Sequence, residues 1–195
     1  MLFSQIQNII HNCNQTITYI NDITQCLPEN NFILLLSYLG IDNVEKSPNG
    51  IYDDGLVTPK SHCNYLLKIS WLSFFSGIFA LYKGHYELSP VPLGVWLTSI
   101  NYWWKPDYSW RRYLDITFVC IALIYQLYKA KNYENAIGYY IFTILSCVLF
   151  PIGVYYAKTS PALSTFYHGM IHIFGNVANI ILYLSNREPI CNTTV

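Results

Sequence analysis

The sequence predicts an all-α transmembrane bundle of about five spans behind a polar N-terminal region. Three observations carry that expectation. Only 11% of the 195 residues are charged, while 53% are hydrophobic and 17% aromatic; ordinary soluble domains carry about 25% charged residues. Turn-forming and polar residues crowd into residues 1–60. From residue 61 to 188, apolar runs alternate with short polar links, and residues 189–195 form a short tail. Acids and bases balance at eleven each, so net charge points to no nucleic acid partner.

The elements follow in order. Residues 1–30 place Ile6, Ile9, Ile10, Ile17, Ile20 and Ile23 at roughly helical intervals, the pattern of a weak amphipathic helix. The opening Met-Leu-Phe-Ser-Gln-Ile-Gln-Asn lacks the basic start and long apolar core of a signal peptide, so insertion is expected to rely on the first internal span. Phe32–Ile41 is apolar but too short to cross a bilayer, which suits a core or interfacial helix. Residues 42–62 carry Asp, Asn, Pro and Gly and read as a loop.

The expected spans are Tyr65–Tyr82, Leu88–Trp104, Tyr113–Tyr128, Ala136–Tyr156 and Ser164–Leu184. Each is about 16–21 residues, near the roughly 20 that cross a hydrocarbon core of about 30 Å. Lys68 is placed to snorkel from the first. Pro90 and Pro92 open the second, where a missing N–H is tolerated. Pro151 predicts a kink in the fourth. Tyr102, Trp103, Trp104, Trp110, Tyr155 and Tyr156 sit where an interfacial aromatic belt belongs. That belt also accounts for the aromatic and basic segment Asn101–Arg112 more simply than nucleic acid stacking does.

Call the side that holds the 105–112 link face A. It carries Lys60, Lys105, Arg111, Arg112 and Lys158, against Lys83, Lys129, Lys131 and Arg187 on face B. The slight excess makes face A the cytosolic side under the positive-inside rule. Asn192-Thr-Thr is a glycosylation sequon on face B; Asn14-Gln-Thr falls on face A unless the 32–41 segment adds a crossing. The cysteines contain no CxxC pair. Cys120 and Cys147 lie in apolar runs and read as small hydrophobes, while Cys13 and Cys26 are free to pair in an oxidising compartment.

The fifth span carries the most chemistry. At about 100° per residue, His168, His172, Gly175, Asn176 and Asn179 share one sector of an otherwise apolar helix. Such a stripe belongs in the bundle interior, because polar groups in hydrocarbon need partners. Two readings fit it. Asn and His serve as hydrogen-bonding glue between helices, with Gly allowing close approach. Alternatively, two His at i and i+4 present a pair of metal ligands on one face. Asp115, near the start of the third span beside Arg111 and Arg112, likewise has two readings: a working acid, or a helix N-terminal acid paired with arginine. Gln126 lies on the same face as Asp115. Five spans bring Ser99, Asn101, Asp115, His168 and His172 to similar depth at face A.

At these residues the chain resembles the superfamily of alkaline ceramidases and progestin and adiponectin receptors, seven-span proteins built around zinc. Ser99-Ile-Asn-Tyr-Trp103 matches that superfamily's Ser-x3-His, Asp115 its acid, and His168-Gly-Met-Ile-His172 its closing His-x3-His. The resemblance implies zinc on His168 and His172, Asp115 orienting or deprotonating a metal-bound water, and Ser99 supporting the transition state. It departs at Trp103, which stands where the third zinc histidine belongs, and His11, His62 and His85 lie in the polar N-terminal region or on face B.

Three function classes follow. The first is a non-catalytic multi-pass membrane component whose polar residues are packing, which the missing histidine favours. The second is a zinc-dependent membrane hydrolase acting on a lipid amide or ester. The third is a small transporter or channel component using the polar stripe as a pathway. In all three the chain is an integral membrane protein with the lipid bilayer as its partner, an endomembrane being one candidate location.

Overall fold

The computed structural model describes residues 29–41, 52, 56–134 and 136–186. They form six helices and no strand. The isoleucine-rich 6–23 segment, Cys13, Cys26 and both sequons lie outside them. The chain divides into two units, Met1–Leu39 and Gly40–Val195. In the first, α1 (Glu29–Tyr38) is ten residues long, about 15 Å, and exposes Ile33, Leu34, Leu35 and Tyr38.

The second unit holds α2 (Lys60–Tyr82), α3 (Pro90–Trp103), α4 (Trp110–Ala130), α5 (Ala136–Tyr156) and α6 (Pro161–Leu184). Helix α2 starts five residues earlier than the expected span, directly after Pro59, whose φ of −55° and ψ of 145° lie outside the helix. It ends where Gly84 adopts φ 78°. The Gly84 N–H donates to the Leu81 carbonyl and the His85 N–H to the Ala80 carbonyl, the paired bonds of a Schellman stop, which favours glycine at the positive φ. A separate turn over 85–89 then leads into α3, with Pro90 opening the helix. Ser109 caps α4 by accepting from the Arg111 N–H, and Ser160 caps α6 by accepting from the Leu163 N–H.

Consecutive helices pack on one another, and α6 returns against α2 as well as α5. Close approach is built in by small residues. A Cβ on Gly94 of α3 would lie 2.1 Å from Phe118 Cζ of α4, and one on Gly169 of α6 would lie 2.5 Å from Tyr65 Oη of α2.

The polarity of the bundle is inverted relative to a water-soluble domain. Phe75, Leu97, Ile121, Ile124, Ile137, Ile144 and Val154 are exposed, while Ser70, Ser73, Ser76, Thr98, Ser99, Gln126, Thr143, Asn176 and Asn179 are buried. Three helices, α2, α4 and α5, are long and apolar enough to cross a membrane, fewer than the five expected. The other two fall short for different reasons. Helix α3 has 14 residues, about 21 Å, because the glycine stop and the 85–89 turn delay its start. Helix α6 has 24 residues, about 36 Å, and its histidines and asparagines dilute its apolar character.

Candidate functional site

The N-terminal ends of α2, α4 and α6 and the C-terminal ends of α3 and α5 meet at one end of the bundle. There Val57 donates its N–H to the Pro106 carbonyl, tying the segment before α2 to the α3–α4 loop.

Asp115 lies on the sixth residue of α4 and is buried. One carboxylate oxygen, Oδ1, accepts hydrogen bonds from Thr98 Oγ1 at 2.8 Å and Ser99 Oγ at 2.9 Å, both on α3. Asp115 is thus held by hydroxyls across a helix interface; the arginine partner considered for it goes elsewhere. Arg111 pairs with Asp107 at 2.7 Å and also donates to the Lys105 carbonyl. In that loop Asp107 sits below the ordinary carboxylate range, first because Ser109 hydrogen-bonds to it and then because of Arg111.

His168 and His172 stand one turn apart on α6, with ring centroids 5.4 Å apart. Trp103, buried at the C-terminal end of α3, meets the His168 ring edge to face at 5.0 Å and 70°. Among the described residues, no group of three or more His, Cys, Asp or Glu side chains is arranged to hold a metal ion. Among the described residues the histidine pair therefore lacks a third ligand for a zinc centre: two imidazoles are adjacent, Trp103 presents an indole beside them, and one oxygen of Asp115 is engaged by Thr98 and Ser99.

Asn176 and Asn179, further along the polar stripe, each make one hydrogen bond to a neighbouring helix, while Asn176 Oδ1 is buried without a partner among the described residues. Asn176 Nδ2 donates to Ser73 Oγ on α2 at 3.1 Å and to the His172 carbonyl at 2.7 Å. Gln126 Nε2 on α4 donates to Asn179 Oδ1 at 3.0 Å and to the Tyr183 hydroxyl at 3.2 Å. At the opposite end His85 is buried with Nε2 against the Tyr183 carbonyl at 3.0 Å and Nδ1 against the Tyr133 hydroxyl at 3.2 Å.

Two features escaped the sequence reading. His62, assigned to the polar loop, is fully buried in the first turn of α2, and its Nδ1 lies 2.9 Å from Thr165 Oγ1 of α6. The loop expectation for residues 60–62 is corrected accordingly: the helix extends to Pro59, and Thr165 gives the imidazole a partner inside. The second is the ladder Ser70, Ser73, Ser76, buried along one face of α2. Its spacing of three was visible in the sequence as a small polar seam on an apolar span.

No known family's sequence model matches this chain, and comparison with curated proteins and with solved structures finds no significant match.

Proposed function

We propose that this protein is a non-catalytic component of a membrane, a five-span bundle whose buried polar residues join helices rather than carry out chemistry. The inverted polarity supports the membrane assignment: large apolar side chains face outward while serines, asparagines and a glutamine lie inside, where Gln126 bonds Asn179 and Asn176 bonds Ser73. Helix α6 counts as a span in this reading because its polar stripe is turned to α2 and α4, leaving its length of 24 residues to cross. Helix α3 crosses with the 85–89 turn and the aromatic Trp103 and Trp104 at its ends. Within this reading the chain is a relative of the ceramidase and progestin and adiponectin receptor superfamily that lacks the metal centre.

The observation that supports the non-catalytic reading is Trp103 packed against His168, with no three-ligand group around the histidine pair among the described residues. Zinc in a catalytic site takes three protein ligands and leaves one position open. The test is elemental analysis of the detergent-purified full chain beside a His168→Ala/His172→Ala variant. The expected result is the same trace metal content in both. About one zinc per chain in the wild type, lost in the variant, would overturn the reading and support a hydrolase.

A further inference from the structure

The end of the bundle that holds Asp115 and the histidines also contains a separate cavity of about 160 Å³. Tyr52, Thr58, Tyr102, Arg112, Ser164 and Thr165 are among the residues that line it. Three features converge there. Arg112 is on its wall, with its guanidinium over the Tyr108 ring, 5.1 Å away. Arg111, the neighbouring arginine, is the one engaged by Asp107. The first turn of α6 borders the cavity through Pro161, Ser164 and Thr165, and the dipole of a helix start favours negative charge there. Tyr52 is 6% exposed, yet its hydroxyl is buried with no hydrogen-bond partner among the described residues. A buried hydroxyl left unpaired is costly, and a ligand is one way to satisfy it.

We propose that this cavity binds a phosphate group. The chemistry selects it: a planar guanidinium fork matches phosphate oxygens, hydroxyls from tyrosine and serine supply further donors, and a helix N-terminus adds positive potential. No carboxylate is among the described residues that line it. The site rests on this cavity alone and stands whether or not the histidine pair binds metal. The phosphate belongs either to a lipid headgroup entering from the bilayer or to a soluble phosphate.

The test uses the purified full chain. Its melting midpoint is measured in detergent with inorganic phosphate against chloride of equal ionic strength, and in phosphatidylcholine nanodiscs with and without phosphatidic acid. Saturable stabilisation is expected from at least one source. Stabilisation by phosphatidic acid alone assigns a lipid headgroup; stabilisation by inorganic phosphate as well assigns the phosphate group itself. Arg112→Gln is expected to weaken binding about tenfold or more, Arg112→Lys to weaken it less, and Tyr52→Phe to weaken it about three- to tenfold. Arg111→Gln, outside the cavity lining, is expected to bind as the wild type does. If Arg112→Gln fails to fold, Arg112→Lys and Tyr52→Phe decide the matter. No stabilisation by either source, or equal loss in Arg111→Gln and Arg112→Gln, overturns the proposal.

Discussion

Trp103 and His168 meet edge to face, with ring centroids 5.0 Å apart and planes inclined by 70°. An aromatic contact of this kind contributes about 0.5–1.5 kcal/mol beyond burial alone. It ties the end of α3 to the start of α6 with an indole, which cannot ligate a metal. The first prediction follows. Trp103→His places a third imidazole beside His168 and His172, and the purified variant is expected to gain zinc affinity relative to wild type. Adding His168→Ala should remove the gain, as elemental analysis after dialysis against zinc would show. A Trp103→His variant with no more metal than wild type would show that the three positions do not converge.

Asp115 joins α3 to α4 through one oxygen shared by two hydroxyls. Asp115→Ala leaves the buried Ser99 hydroxyl without its acceptor and Thr98 with the Val95 carbonyl alone, and an expected loss of about 1–3 kcal/mol follows from unsatisfied buried groups. Asp115→Asn, which keeps a carbonyl oxygen as acceptor, should lose less. Thermal unfolding in detergent measures both. Equal losses in the two variants would mean that the charge of the carboxylate, rather than its role as acceptor, matters at this site.

Gly169 lets Tyr65 lie against α6, where a Cβ would meet the ring at 2.5–2.7 Å. Gly169→Ala is expected to destabilise by about 1–3 kcal/mol through overpacking. Combining it with Tyr65→Ala should restore part of that loss, giving a strongly non-additive cycle. Additive effects would place the two residues out of contact.

Gln126 donates to both Asn179 and Tyr183. The losses caused by Gln126→Leu and Asn179→Leu should therefore sum to more than the loss of the double variant. The expected coupling is about 0.6 kcal/mol and at most about 1.7, the range seen for hydrogen bonds within membrane bundles. A zero coupling in nanodiscs would remove this bond from the account of how α4 and α6 associate.

Asp107 gives a pH test with a definite sign. Its folded carboxyl lies below the ordinary range because Ser109 and Arg111 favour the charged form. Its contribution is therefore present above the ordinary carboxylate range and fades as pH falls through the depressed folded value. The wild type minus Asp107→Asn difference in melting midpoint should shrink on acidification. The side chain is a solvent-facing member of a surface pair, so the effect is expected to be small and weakened by salt.

Much of this architecture was written in the chain itself. Apolar runs of helical length, and Pro90 at the opening of α3, place the helices within about five residues, because these are local effects of backbone geometry and solvation. The stripe His168, His172, Asn176, Asn179 likewise follows from helical spacing on α6. Which partner each polar group takes is a different matter. Asp115 had arginines nearby in sequence and takes Thr98 and Ser99 instead; His62 read as loop and lies under Thr165; Tyr52 and Arg112, 60 positions apart, share one cavity. Those choices depend on which helix ends meet and at what distance. That is decided by small residues such as Gly94 and Gly169 setting how closely whole helices approach, a property of the packed bundle and not of any one segment.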